Sequence, residues 1–120
     1  MPPVKKDNDL KTAKACAQLA LEKKAEDVVI LDLRELNGPS MFFLICSGQS
    51  DPQVKAIASS ILEGMRQEHG VGPHGYEGRS SSQWIVLDYG VVLVHVMHAA
   101  KRQFYRLEDL WSDAKRIVVK

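Results

Sequence analysis

The sequence predicts an α/β fold: a single domain built on a mixed β-sheet of about five strands flanked by helices. Three observations carry this. Short apolar runs rich in Val and Ile alternate with longer stretches whose apolar residues recur at helical spacing. Two of the short runs meet at Tyr89-Gly90, which reads as a tight hairpin turn. A length of 120 residues, 45% apolar and 26% charged, suits one core. The domain is expected over residues 9–113. A flexible N-terminus over residues 1–8 and a basic C-terminal tail over residues 114–120, carrying Lys115, Arg116 and Lys120, flank it.

The first element is a helix over residues 9–24. Leu10, Ala13, Ala17, Ala20 and Leu21 share a face, with lysines and Glu22 opposite, and Asn8 or Asp9 is placed to cap it. Residues 27–33 follow as a buried strand, because their apolar run is too short for a helix. Asn37-Gly38-Pro39-Ser40 is a turn, and residues 41–46 are a second strand. Ser47-Gly48-Gln49-Ser50-Asp51-Pro52 then opens a second helix. Ser50 or Asp51 caps it, Pro52 suits its first turn, and Gly70 suits its end. Val54, Ile57, Ala58, Ile61, Leu62 and Met65 form its apolar face. Residues 72–78 are glycine-rich and leave room for a short edge strand at most. Residues 83–88 and 91–98 are two strands. Residues 100–113 are a last helix with Phe104, Leu107 and Trp111 on one face.

The hairpin is the most informative segment. With a two-residue loop, Asp88 pairs with Val91, Leu87 with Val92, Ile85 with Val94 and Trp84 with His95. One face then holds Ile85, Leu87, Val92, Val94 and Val96, which is core. The other holds Trp84, Val86, Asp88, Val91, Leu93, His95 and Met97. Buried Asp and His need partners, whereas a protein interface takes such a mixture readily. Either helices cover this face and His95 is a satisfied core histidine, or the face is a docking surface.

Bulk properties narrow the function. A net charge of +1 with acids and bases interspersed argues against a polyanion as direct partner. Residues 1–11 carry lysines but no apolar core of a signal peptide, and no apolar run approaches a bilayer span, so a cytoplasmic protein is expected. Cys16 and Cys46 lie in apolar stretches without CxxC spacing and read as buried packing residues rather than a disulfide.

The catalytic templates fit poorly. His95 and His98, three apart on a strand, point to opposite faces and cannot share a metal. No GxSxG elbow supports a nucleophile at Ser47 or Cys46. Ser47-Gly48-Gln49-Ser50 between strand and helix is a layout for anion binding, as in nucleotidyltransferases. Such an enzyme needs paired carboxylates for a divalent metal, yet Asp32 and Asp88 stand alone, with Arg34 and Gly90 two residues on. A helix cap with a tight turn is the simpler reading.

Three blocks, FFLICSGQSDPQVKAIA, then Glu77-Gly78 shortly before WIVLDYGVVLVHVM, then RQFYRLEDLW, give the chain a family likeness. It resembles the ribosomal silencing factors, also called Iojap-like proteins, over residues 10–111. The resemblance implies a small α/β domain similar to nucleotidyltransferases but without their catalysis, with no cofactor and no metal. It implies docking on the large ribosomal subunit, through the large-subunit ribosomal protein numbered fourteen, and steric block of small-subunit joining. Organelle relatives assist assembly of the large subunit, and free members are often homodimers. Carried onto this chain, the partner-binding residues are Trp84, Asp88 and Tyr89 of the hairpin, His95 and Met97 on the same face, Tyr105 in the last helix, and Glu77. Two positions depart from the family pattern. Met41 stands where an Asp is usual, and Ala100 where an acid often precedes Arg102.

Overall fold

The structure, a computed structural model, describes residues 4–78 and 81–120. It orders the elements as α1 (Val4–Leu21), β1 (Glu26–Asp32), β2 (Phe42–Gly48), α2 (Asp51–His69), β3 (Gly75–Glu77), β4 (Trp84–Asp88), β5 (Val92–His98), α3 (Ala99–Tyr105), α4 (Leu107–Leu110) and β6 (Lys115–Val118). The strands form one six-stranded sheet in the order β3-β4-β5-β2-β1-β6. β2 and β5 run parallel, and the other neighbours are antiparallel. The mixed α/β class expected from sequence holds, with six strands rather than five.

The sixth strand is a correction. Residues 115–118, expected in a basic tail, pair antiparallel with β1, Ile30 facing Ile117. Ile117 and Val119 pack on the core while Lys115 and Arg116 stay exposed. An edge strand with one apolar side and charges on the other looks like a tail when its partner is unknown. The N-terminal boundary moves as well. α1 begins at Val4, so neither Asn8 nor Asp9 caps it. No Gly or Pro interrupts residues 4–21, and Pro3 stands just before the first helical residue. Residues 1–3 of the expected flexible N-terminus lie outside the described residues.

α2 follows its sequence signals. Ser50 is extended at φ −144 and accepts the Gln53 N–H, and Gly70 closes the helix in the left-handed region at φ 66. Val54, Ile57, Ala58, Ile61 and Met65 are buried. α1 packs closely on α2, because Gly64 has no Cβ to collide with the Leu19 side chain. Together α1 and α2 seal one face of the sheet, where Val28, Ile30, Phe42, Leu44, Cys46, Ile85, Leu87, Val92, Val94 and Val96 are buried. Each such side chain contributes about 1.5–3 kcal/mol relative to exposure.

The opposite face is covered from the C-terminal side. There Val29, Leu31, Phe43, Ile45 and Met97 are buried with Leu33 and Ala114, against Leu36, Leu107 and Trp111. The expected last helix is split. Arg106 takes the left-handed conformation at φ 50, ψ 51 and separates α3 from α4. Among the described residues no helix is long and apolar enough to cross a membrane.

Candidate partner-binding surface

The β4–β5 hairpin differs from its sequence-derived register. Asp88 faces Leu93, Leu87 faces Val94, Val86 faces His95 and Trp84 faces Met97. The loop is longer because the Tyr89 N–H bonds to the Val92 carbonyl, and Gly90 sits at φ 82. The slip is two residues, one full period of a strand, so the faces are unchanged. Ile85 and Leu87 are buried beneath the helices, and Trp84, Val86 and Asp88 lie on the other face, partly exposed. Val91, expected on that mixed face, instead packs toward the helix-side core from the loop.

Following the pairings across the sheet places Glu77, Val86, His95, Ile45, Val29 and Val118 in one row, and Gly75, Asp88, Leu93, Phe43, Leu31 and Arg116 in the next. Burial changes along each row. Ile45, Val29, Phe43 and Leu31 are buried, whereas Glu77 is exposed and Val86, Asp88 and Leu93 are partly exposed. The cover therefore closes the β2–β1 part of this face and leaves the β3–β4 part, with Leu93 of β5, accessible.

An aromatic chain runs along the border. Tyr105 lies 5.1 Å from Trp84, Trp84 lies 6.0 Å from His95, and His95 lies 4.7 Å from Phe43, between ring centroids. Trp111 meets Phe43 edge-on at 5.9 Å. Phe104 packs edge-on against Tyr105 at 5.1 Å yet is 74% exposed, and Tyr105 is 50% exposed. The Trp84 indole N–H donates to His95 Nδ1 at 3.1 Å. Burial pushes the His95 imidazole down to about 4, so it is neutral at pH 7. The Asp88 carboxylate accepts the Gly90 N–H at 2.8 Å, which ties the loop to the strand end.

The seven residues named from sequence separate into two groups. Trp84, Asp88, Tyr105 and Glu77 come together on or beside the accessible region. Tyr89, His95 and Met97 do not reach the surface, being 5%, 5% and 0% exposed. Tyr89 turns to the helix-side core because the longer loop folds it under. His95 and Met97 do lie on the expected face, but the C-terminal cover and the ring of Trp84 overlie them. Phe104 is the opposite case. Sequence placed it on the packed side with Leu107 and Trp111, and the break at Arg106 turns it outward. No local signal marked this, since neighbouring residues on one helix can share a buried face, as Ile57 and Ala58 do on α2.

The parts needed for phosphate and metal chemistry are not gathered. Ser47 is buried, its Oγ 3.4 Å from the Glu26 carbonyl and 3.3 Å from an Arg102 N–H. The Gln49 N–H donates to Gln53 Oε1 at 2.7 Å, and the Gln53 N–H donates to Ser50 Oγ at 3.2 Å, so the α2 entrance is closed by its own side chains. Asp32 is gripped by the Arg34 guanidinium at 2.7 and 2.9 Å, which holds its carboxyl below the usual range. In the β1–β2 register Ser47 sits opposite Glu26 and Phe42 opposite Asp32. That separation is about 20 Å at the usual rise per strand residue. Met41 is 43% exposed, and Ala100, at the start of α3, donates its N–H to His98 Nδ1 at 3.2 Å.

At the other end of the sheet an open polar groove of about 710 Å³ is lined by Ser47, Gln49, Arg102, Arg106, Glu108 and Arg116, among others. Arg102 fastens the cover there, its guanidinium 3.2 and 3.0 Å from the Glu108 carboxylate and 3.4 Å from the Glu26 carbonyl. Burial works to raise the Glu108 carboxyl, but the bonds to Arg102 and the charge of Arg116 outweigh it and leave it lowered. In this groove Arg102 and Arg116 pair with Glu108, and Arg106 pairs with Asp109.

Comparison with known proteins gives a consistent result. Residues 6–120 match the family model described as ribosomal silencing factor during starvation. The ribosomal silencing factor of Bacillus subtilis is 39% identical over 107 residues, 89% of this chain and 90% of that protein. That of Halalkalibacterium halodurans is 43% identical over 96 residues, 80% of this chain and 81% of that protein. A crystal structure of a Chromobacterium violaceum protein superposes with a TM-score of 0.82 at 32% identity, covering 92% of each chain. The blocks read from sequence, the fold and these likenesses agree: the chain belongs to the ribosomal silencing factor family.

Proposed function

We propose that the chain represses translation by docking on the large ribosomal subunit, on its ribosomal protein fourteen, and that the bound domain keeps the small subunit from joining. It acts by occupancy, with no turnover, on a scaffold similar to nucleotidyltransferases. The observation that carries this reading is the half-covered sheet face. Trp84, Val86, Asp88 and Leu93 stay accessible beside Phe104 and Tyr105, which are 74% and 50% exposed. Apolar and aromatic groups at the centre with acids at the rim are what a protein partner with basic side chains would cover. Trp84 is the anchor, Tyr105 its neighbour, and Asp88 and Glu77 supply the charge.

The test has two parts. Purified ribosomal protein fourteen and whole large subunits are titrated with the chain, and subunit joining is followed by sucrose-gradient sedimentation. Joining should fall as the large subunit is occupied. Trp84→Ala should cost at least about 2 kcal/mol of binding, as for a central interface aromatic. Unchanged affinity in a folded Trp84→Ala protein removes Trp84 from the interface. Unimpaired joining at saturation removes steric exclusion.

A further inference from the structure

His95 occupies a place that favours an apolar residue. It is 5% exposed, with Ile45 beside it in the parallel register and Phe43 against its ring. Its Nδ1 accepts the Trp84 indole N–H. A neutral imidazole carries one proton, so an acceptor at Nδ1 puts that proton on Nε2. His95 Nε2 is buried and has no hydrogen-bond partner. A buried N–H without an acceptor is a standing penalty that a leucine of similar size would avoid.

What the histidine supplies is the acceptor. Trp84 starts a strand at the border of the cover and is only partly buried. Packing alone leaves such an indole a choice of side-chain rotamers. Two contacts narrow it: the ring of Tyr105 on one side and the bond to His95 on the other. We propose that His95 is a positioning residue, whose Nδ1 fixes the Trp84 indole in the orientation that the partner meets, without touching the partner itself. Orienting an anchor beforehand spares the ordering cost at association. The proposal rests on the docking reading above and assigns His95 a role behind the surface.

The experiment compares three proteins for stability and for affinity to ribosomal protein fourteen. His95→Leu removes the acceptor and the unpartnered N–H together. It should melt no lower than the parent, yet bind about five- to tenfold more weakly, the usual worth of one hydrogen bond. His95→Asn restores an acceptor oxygen near the Nδ1 position and should recover most of that loss despite a smaller side chain. In a Trp84→Phe background, His95→Leu should cause no further loss. Parent-like binding by His95→Leu, equal weakness of His95→Asn and His95→Leu, or a full loss again in the Trp84→Phe background would each overturn the positioning role. If Trp84→Phe alone binds like the parent, Trp84 is not the anchor and the positioning role falls with it; no binding of ribosomal protein fourteen by the parent is the result that removes the docking reading. A nitrogen-15 spectrum of the unmodified protein needs no variant. It should show His95 protonated at Nε2 alone and the Trp84 indole proton shifted downfield, and an Nδ1–H tautomer would contradict the proposal.

Discussion

The two faces of the sheet start from the same strands and finish differently. On one, α1 and α2, of 18 and 19 residues, span the central strands and bury an aliphatic layer. On the other the cover is made of α3 and α4, of 7 and 4 residues, with the turn that carries Trp111 and Ala114. Short elements reach across Phe43, Ile45 and Met97 and stop near Trp84. On the proposed docking reading, the difference teaches that an interaction surface need not be an added feature. It can be the part of an ordinary apolar sheet face that its own cover is too short to reach.

The sharpest way to break this contrast is to cut into the sealed face. Leu44 is fully buried on β2 beneath the helices. Leu44→Ala should cost about 2–5 kcal/mol of stability, as for other buried leucines. Chemical denaturation measures it. Affinity per folded molecule for the large subunit should not change, and a parallel loss of both would mean that the faces are coupled.

Acid titration probes the border between the faces. His95 has its imidazole lowered from 6.5 to about 4 by burial. The unfolded chain therefore binds the proton first as pH falls. Stability from a neutral His95 is complete above about pH 6.5 and is lost progressively down to about pH 4. The loss is about 3 kcal/mol in this window. Asp32 and Glu108, both lowered, extend the decline below the ordinary carboxylate range. Denaturation across pH should show the upper part of this fall in the parent and not in His95→Leu. The same slope in both proteins would assign it elsewhere.

On the open side the effects pass from stability to binding. Tyr105 is half exposed and touches Trp84. Tyr105→Ala should lower affinity for ribosomal protein fourteen by about 1–2 kcal/mol and shift stability by less than about 0.5 kcal/mol. Calorimetry and a melting curve separate the two. A loss in stability with intact binding would place Tyr105 in the cover rather than on the surface.

Sequence revealed the faces better than their covers. The assignment of Ile85, Leu87, Val94 and Val96 to one side survived a two-residue error in register, because strand alternation repeats every two residues. Caps at Ser50 and Gly70 were readable because they are local chemistry. What covers a face depends on residues distant in the chain. The burial of Met97 depends on a cluster that includes Leu107 and Trp111, and no local pattern near the hairpin records them. β6 was hidden because Lys115 and Arg116 mask the alternation of Ile117 and Val119. The helix break was hidden because it falls on an arginine rather than on a glycine or proline.

That arginine gives the smallest effect and a test of what holds the short cover together. Arg106 is left-handed at φ 50, ψ 51, a conformation that costs a residue with a Cβ about 1 kcal/mol. Arg106→Gly relieves that strain but gives the unfolded chain more freedom, which takes back about 0.4–1 kcal/mol. The Arg106–Asp109 ion pair at 2.7 Å is also lost, but its side chains are 72% and 63% exposed and screened by water, so it contributes little. The Arg106 N–H still donates to the Arg102 carbonyl at 2.9 Å, because glycine keeps its backbone donor. Stability should therefore change by no more than about 1 kcal/mol in either direction. Docking should be unaffected, since the Arg106 side chain lines the polar groove and is not among the residues proposed to meet the partner. A larger fall in the melting curve would show that the arginine side chain, rather than the Arg102–Glu108 pair, fastens the cover, and the limit of the open surface would then be set by a different residue.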